Sequence, residues 1–132
     1  MIVIPKEYLD ILQSNALAYA ATIGPNGPPH VSPVWFGWNG EHVFFSTIKT
    51  RQKYHNLVRD PRISLSITDP ANPYRSLEIR GTVRMEDDPP HYFPSLMAQK
   101  YLGRSPVAGE VSPDEERVLV TILPDRVLVF AP

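Results

Sequence analysis

Hydrophobic and polar residues alternate strictly along two segments in the middle of the chain. Residues 63–68 read Ile-Ser-Leu-Ser-Ile-Thr, and residues 77–85 keep the same alternation without a miss. A period of two places successive side chains on opposite faces of a strand. The pattern therefore predicts two strands that each bury one face and expose the other.

Shorter apolar stretches that end in turn sequences predict further strands. Residues 17–23 stop at the turn sequence Gly-Pro-Asn-Gly-Pro-Pro, and residues 30–38 follow as the second strand of a hairpin. Asn39 and Gly40 form a strong hairpin signal that joins this strand to residues 42–47. These segments predict three strands in meander order.

Three short helices are predicted between the strands, over residues 5–13, 51–59 and 91–102, where apolar residues recur at helical spacing. Thr50 is the predicted N-cap of the middle helix. The segment 103–113 after the third helix is predicted to be an exposed loop. Each helix is short and amphipathic, and we expect it to pack against the strands.

The last strands complete a mainly β architecture. Residues 118–123 and 127–130 are predicted to form a closing pair around Pro124. About six to seven antiparallel strands with short helices predict a small barrel, in which closure removes exposed strand edges. We expect residues 1–132 to form one domain.

Composition excludes several classes of protein. No apolar run approaches the roughly 20 residues that a membrane helix needs, and the absence of cysteine excludes disulfides and thiolate metal sites. A net charge of −1 gives no support for general nucleic-acid binding. The N-terminal residues lack the features of a secretion signal, so we expect a cytoplasmic protein.

The start of the middle helix carries an unusual charge pattern. Arg51 and Lys53 lie where the helix dipole is already positive and favours an acid. Hydroxyls at Ser46, Thr47 and Thr50 are close in sequence, and a phosphate would meet these groups together with free backbone N–H groups. The pattern indicates an anion site; a solvated surface helix is the alternative.

The segment around Pro33 is the second candidate. Proline cannot donate a hydrogen bond to a neighbouring strand, so this strand is an edge or is locally open, and its free backbone groups can bind the edge of a planar ring. An edge strand with nothing bound is the alternative. Nearby aromatic residues such as Trp35 and Phe36 can equally belong to the core.

Other candidate features are weaker. Tyr74 and Arg75 lie between two strands, in a surface turn or an interface. The four histidines show no metal-ligand or catalytic-triad spacing, and no dinucleotide-binding or P-loop motif is present. We therefore expect no metal, and a cofactor that carries a phosphate.

Three motifs together resemble the pyridoxamine 5′-phosphate oxidase-like split β-barrel proteins, and within them the branch that uses the deazaflavin coenzyme F-420. The motifs are the A-T-I-x-P-x-G-x-P hairpin, the S-P-V-W strand and the R-x-K-x-x-N-L-x-R-D-P-R helix. The resemblance covers Leu17 to Met85 well and the C-terminal strands loosely. It implies a split β-barrel homodimer, like the FMN-binding proteins, with a cofactor at each subunit interface.

The resemblance also implies roles for particular residues. Ser32, Pro33, Val34 and Trp35 would lie along the cofactor ring, while Ser46, Thr47, Arg51 and Lys53 would hold the phosphate. Lys49, Thr50, Gln52 and Tyr54 would lie close by, and Tyr74, Arg75 and Leu77 would approach from the partner subunit. No catalytic side chain is implied, because the cofactor carries the chemistry.

The implied activity is hydride transfer between reduced F-420 and a small organic acceptor. F-420 is more anionic than FMN, and Lys49, His55 and Arg59 extend the basic cluster beyond the needs of one phosphate. An FMN-dependent oxidoreductase of the same family and a non-catalytic flavin- or haem-binding module are the alternatives. Pyridoxamine phosphate oxidases proper usually carry an Arg-bearing C-terminal substrate motif that is missing before Pro132, so we do not expect that substrate activity.

Overall fold

Seven antiparallel strands and three short helices make up the fold in a computed structural model that describes residues 3–88, 92–106 and 115–131. The strands are β1 Ala18–Ile23, β2 Pro29–Val34, β3 Gly37–Trp38, β4 Val43–Ile48, β5 Arg62–Asp69, β6 Asn72–Asp87 and β7 Arg117–Phe130. The helices are α1 Leu9–Gln13, which a 3-10 turn at Lys6–Tyr8 precedes, α2 Gln52–Arg59 and α3 Tyr92–Leu102. The predicted start of the third helix at His91 and residues 107–113 of the predicted loop lie outside the described residues.

The strands form one curled sheet in the order β2-β1-β5-β6-β7-β4-β3. Its two edges, β2 and β3, are consecutive along the chain and are joined only by Trp35 and Phe36. A link this short spans at most about 11 Å, so the two edges must lie close together. The sheet therefore curls into a half-barrel whose open side, or split, lies between β2 and β3. The predicted mainly β, split-barrel fold is confirmed.

The predicted hairpin over residues 30–38 and 42–47 is only partly correct. Gly37 and Trp38 pair with Phe44 and Val43 as predicted, but the preceding strand β2 pairs with β1 along its whole length. Because the chain leaves one sheet edge and joins the other at Trp35, a single long strand is impossible. The predicted meander of three consecutive strands is therefore interrupted between β2 and β3, which lie at opposite edges of the sheet.

The predicted closing pair near the C-terminus is wrong, because β7 runs without interruption from Arg117 to Phe130 and pairs with β6 over most of that length. The register between β6 and β7 shifts between Arg80 and Gly81, next to Pro124. Such an irregularity accommodates a proline, which cannot donate to the ladder. A side chain at Gly81 would also collide with the Leu123 backbone, so the close approach of the strands requires glycine.

The hydrophobic core lies inside the curl and is covered by side chains from the helices. Strand residues such as Phe45, Leu65 and Ile79 are almost completely buried, as are Ile11 of α1 and Met97 of α3. The alternation predicted for β5 is confirmed: Ile63, Leu65 and Ile67 face inward.

Helix α2 is attached to β1 by a buried amide. Asn56 Nδ2 donates to Thr22 Oγ1 at 3.0 Å, and Gln52 Nε2 donates to Asn56 Oδ1 at 2.8 Å. The predicted cap at Thr50 is wrong: Arg51 is the residue before the helix, and no side chain caps the first turn. Thr50 lies one residue before the N-cap position. It belongs to a turn in which Arg51 N donates a hydrogen bond to Ile48 O at 3.0 Å.

Replacing Asn56 with alanine is expected to lower the free energy of unfolding by about 1–3 kcal/mol, because the Thr22 hydroxyl would lose its buried partner. Val58→Ala, on the exposed face of the same helix, is the control and should change it by less than about 0.5 kcal/mol. Urea unfolding followed by circular dichroism measures both. Equal effects of the two substitutions would contradict the role assigned to Asn56.

Candidate functional site

A cleft of about 460 Å³ lies at the split of the half-barrel. One wall is the end of β2 and the crossing, residues 32–35, and another is residues 46–48 of β4. Arg51 and Lys53 project into it from the start of α2. β2 and β4 are far apart in the strand order of the sheet, and only the curl of the sheet brings them close together. The cleft between them is therefore a consequence of the fold.

The cleft brings together eight of the residues that the sequence predicts to bind a cofactor: Ser32, Pro33, Val34, Trp35, Ser46, Thr47, Arg51 and Lys53. These are the ring-binding and phosphate-binding sets named from the resemblance. They come from three elements separated along the chain. Their convergence shows that the strand around Pro33 and the cationic helix start face the same space.

The cleft carries uncompensated positive charge. Burial, together with the charge of Arg51, lowers the pKa of the Lys53 ammonium below its usual value. Neither cation forms an ion pair with a carboxylate among the described residues, and the first turn of α2 contains no acid. The first N–H groups of a helix also lack partners within it. An anion bound here would satisfy all of these groups.

Two hydroxyls in the cleft are buried without a hydrogen-bond partner in the described part of the chain. They are Ser32 Oγ, from the β2 wall, and Thr47 Oγ1, from the β4 wall. Leaving such a group unsatisfied costs about 1–3 kcal/mol. A ligand with hydrogen-bonding atoms along both walls would remove this cost, so the residues present fit a polar, phosphate-bearing cofactor.

The wider basic cluster predicted from the sequence does not reach the cleft. Lys49 Nζ lies 3.5 Å from Asp87 and 3.6 Å from Glu116, and Asp87 raises its pKa. Arg59 donates to the Ile23 carbonyl and to Asn56. These two cations therefore have partners within the fold and do not line the cleft, and a contact of Lys49 with a cofactor stays a prediction.

The other predicted neighbours of the cofactor lie outside this cleft. Thr50 is exposed in the turn, Gln52 is bonded to Asn56, and Tyr54 packs against the core. None of the three lines the cleft. Their predicted contact with a cofactor remains a prediction.

The three residues expected to approach from a partner subunit lie on β6. Tyr74 is 76% exposed, whereas Leu77 is buried in the core. Arg75 Nη1 lies 2.8 Å from Asp10 Oδ2 and 3.0 Å from Asp69 Oδ2, and hydrogen bonds to these two carboxylates raise the pKa of Arg75 above its usual value. The Arg75 guanidinium is thus held within its own chain. The roles of all three at a neighbouring cleft stay a prediction.

Arg117 is a cleft residue that the sequence analysis did not identify. It opposes Ile48 where β7 pairs with β4, and its Nη1 donates to Ser46 Oγ at 3.3 Å. Its Nη2 lies 2.9 Å from Glu115 Oε2 in an ion pair that is not aligned as a hydrogen bond. The Nε atom is buried and has no partner in the described ranges. Only the long-range pairing of β4 with β7 reveals this residue.

Helix α3 fixes the crossing that forms one wall of the cleft. The Trp35 ring stacks on Tyr101 with centroids 4.9 Å apart and planes 9° apart. Tyr101 Oη donates to Ala16 O at 2.7 Å and accepts from Phe36 N at 3.3 Å. Lys100 Nζ donates to Phe36 O at 2.6 Å and lies 3.6 Å from the centroid of its ring. Both backbone groups of Phe36 are therefore satisfied by one helix.

Within residues 3–88, 92–106 and 115–131, no group of three or more His, Asp or Glu side chains is placed to hold a metal ion. No helix in the same ranges is long and apolar enough to cross a membrane.

Comparison with known proteins gives a consistent family. Residues 4–129 match the family model for pyridoxamine 5′-phosphate oxidase. A solved structure named F420 reductase is 32% identical, covering 95% of this chain and 98% of its own, with a TM-score of 0.85. A conserved hypothetical protein of Mycobacterium tuberculosis is 26% identical, covering 99% and 86%, with a TM-score of 0.79.

A more distant structure shares the fold alone. It is a pyridoxamine 5′-phosphate oxidase-related, FMN-binding protein of Nostoc punctiforme, 17% identical, covering 96% of this chain and 84% of its own, with a TM-score of 0.67. No curated protein sequence matches the chain.

Lys100 is expected to lose its charge near pH 8, because burial lowers its pKa from 10.5 to about 8. The unfolded chain then binds more protons than the folded chain between these values, so the contribution of Lys100 to the free energy of unfolding rises with pH across that window. Carbon NMR of its Cε measures the titration, assigned by the loss of the signal in Lys100→Arg. A midpoint near 10.5 would contradict the expected effect of burial on this pKa.

Proposed function

Since the chain belongs to the pyridoxamine 5′-phosphate oxidase family, we propose that it is an oxidoreductase that binds coenzyme F-420 in the cleft and transfers a hydride between the reduced coenzyme and a small organic acceptor. The observation that carries the proposal is the geometry of the cleft. It joins the open β2 wall to two cations at a helix start that have no ion-pair partner among the described residues. A cofactor with a planar ring and an anionic tail complements both parts.

The phosphate end of the cleft is assigned to the helix start. Arg51 and Lys53 supply charge, Ser46 and Thr47 supply hydroxyls, and the free N–H groups of α2 supply further donors. Charge-assisted hydrogen bonds of this kind contribute about 1.5–3 kcal/mol each. The anionic tail is therefore the part of the cofactor that is expected to contribute most to the binding free energy.

The ring end is assigned to residues 32–35. The backbone of this segment beyond Val34 is outside the ladder, and the Ser32 hydroxyl faces the same cleft. Trp35, held by Tyr101, closes one side and keeps water away. When bound, the reduced deazaflavin supplies the hydride; the chain's own residues bind, orient and shield it.

F-420 is preferred to FMN for two reasons. The F420 reductase structure is similar over nearly the full length of both chains. In addition, Arg51 and Lys53 place two positive side chains at the helix start, and neither forms an ion pair among the described residues. F-420 carries a phosphodiester and a glutamate tail, and its extra negative charge suits such a site. FMN binding, or a ring system bound without turnover, is an outcome of the experiment below.

The active form is proposed to be a homodimer. Outward-facing residues form a row across five strands, Pro33, Tyr19, Ser66, Glu78 and Leu128. Tyr19 is 48% exposed and Val31, on the same face, is 64% exposed. This face begins at β2, which is also a wall of the cleft, so a second copy packed here would bring its residues close to the bound cofactor.

Fluorescence titration with F-420 and with FMN tests the cofactor assignment. We expect tighter binding of F-420, and we expect Arg51→Ala combined with Lys53→Ala to weaken it at least about tenfold, because two charge-assisted contacts are lost. Transfer of hydride is then tested by oxidation of reduced F-420 with a panel of acceptors. The titration comes first because binding does not require a known acceptor.

A charge-matched double variant, Lys6→Ala with Arg84→Ala, is the control for that titration. Both residues are exposed and neither lines the cleft, so F-420 affinity should change by less than about twofold. Equal losses in the two double variants would mean that net charge, not a site at α2, attracts the cofactor. Tighter binding of FMN than of F-420 would overturn the cofactor assignment.

Tyr19→Glu is expected to convert the dimer into a monomer, because it places a negative charge beside the exposed apolar residue Val31 on the proposed interface. Val58→Glu, at a comparably exposed site on α2, should leave the dimer intact. Light scattering after gel filtration measures the mass of each. A wild-type protein that is monomeric throughout the accessible concentration range would exclude the dimer.

A further inference from the structure

A second cavity, of about 250 Å³, opens beside the cleft. The two spaces share Trp35, Phe93 and Arg117 as lining residues, so they are adjacent. The other described residues that line the second cavity are all apolar: Pro94, Met97, Ala98, Leu102 and Pro106. We call this space the α3 pocket, because most of its wall is helix α3.

The α3 pocket differs from the cleft in the chemistry that it can accept. Its apolar wall offers no hydrogen bond to a phosphate, a sugar hydroxyl or an amide, and burying such groups there would be unfavourable. A cavity of about 150 Å³ is already enough to hold a benzene ring, so one or two fused rings fit. The pocket therefore suits a flat apolar body and not the tail of the cofactor.

Among the described residues that line the α3 pocket, Arg117 is the one charged side chain, and it also lines the cleft. Two of its nitrogens are engaged with Ser46 and Glu115, but its buried Nε has no partner among the described residues. A buried donor on a cation is best satisfied by an anionic oxygen. Because Arg117 lines the α3 pocket, a carboxylate on a ligand seated against α3 would meet this guanidinium.

We propose that the α3 pocket is the acceptor site, and that it takes apolar ring compounds that carry a carboxylate, with the ring against α3 and the carboxylate on Arg117. The acceptor role rests on the proposed function, because it needs a cofactor ring in the adjoining cleft. The binding chemistry rests only on the pocket.

Titration of the full-length protein with 2-naphthoate, followed by tryptophan fluorescence, tests the pocket. Leu102→Glu places a charge on its wall and should weaken 2-naphthoate at least about tenfold. Leu96→Glu is the matched control, since Leu96 is exposed to a similar degree on the same helix and does not line the pocket: Leu96 is 40% exposed and Leu102 45%. Affinity should be unchanged in the control.

Arg117→Gln tests the anchoring of the carboxylate. It should weaken 2-naphthoate about tenfold or more, the usual effect of a lost charge-assisted bond, and should have little effect on the uncharged analogue 2-naphthalenemethanol. Glu115→Gln removes the competing carboxylate and should tighten 2-naphthoate. Equal effects of Arg117→Gln on both probes would overturn the assignment of Arg117.

A parallel F-420 titration separates this inference from the proposed function. We expect 2-naphthoate and F-420 to bind together, and we expect Leu102→Glu to leave F-420 affinity unchanged, because Leu102 is outside the cleft. If F-420 binds but 2-naphthoate does not, or if the two compete, the α3 pocket is not the acceptor site. If 2-naphthoate binds as described but neither F-420 nor FMN does, the proposed function fails and the acceptor role fails with it, while the carboxylate-binding pocket stands.

Discussion

The short crossing through Trp35 and Phe36 is the constraint on which the rest of the structure depends. It joins the two edges of one sheet, β2 and β3, and so forces the sheet to curl. The edges approach each other but do not pair, which leaves a cleft whose walls carry unused polar groups. A closed barrel would instead have paired the two edges with each other and left no space between them. The short crossing therefore forces the curl of the sheet, and the same curl leaves the cleft in which a ligand can bind.

Helix α3 makes this crossing stable. A segment between two edges has no ladder partner, and its buried backbone groups would otherwise be unsatisfied. Tyr101 and Lys100 instead bond to the N–H and the carbonyl of Phe36, and the aromatic rings of Trp35 and Tyr101 stack. The same helix lines the apolar pocket beside the cleft. The element that holds the wall in place thus also shapes the second cavity, so substitutions in α3 can affect both.

The sequence predicts the local parts of this molecule well and the long-range parts poorly. The alternation along β5 and the position of helix α2 depend on residues close in the chain, and both are observed. The apolar stripe predicted for α2 from Tyr54, Leu57 and Val58 is only partly correct, because Val58 is 59% exposed. The cationic helix start is local too, and eight residues named from motifs meet in one cleft. The break at Trp35 and the continuous β7 depend on which distant strands pair. For the same reason Arg117 was not foreseen, because only its position opposite Ile48 brings it to the cleft.

Charge in the cleft connects stability with binding. Arg51 and Lys53 repel each other, and the lowered pKa of Lys53 reflects that repulsion together with burial. In the unliganded folded state this repulsion lowers the free energy of unfolding, and so do the buried, unsatisfied hydroxyls of Ser32 and Thr47. A ligand that binds the folded state alone removes these costs and stabilises it as its concentration rises above Kd. The groups that weaken the unliganded fold are therefore the ones that favour an anionic ligand, which is the relation expected where a site is shaped for binding and not for stability.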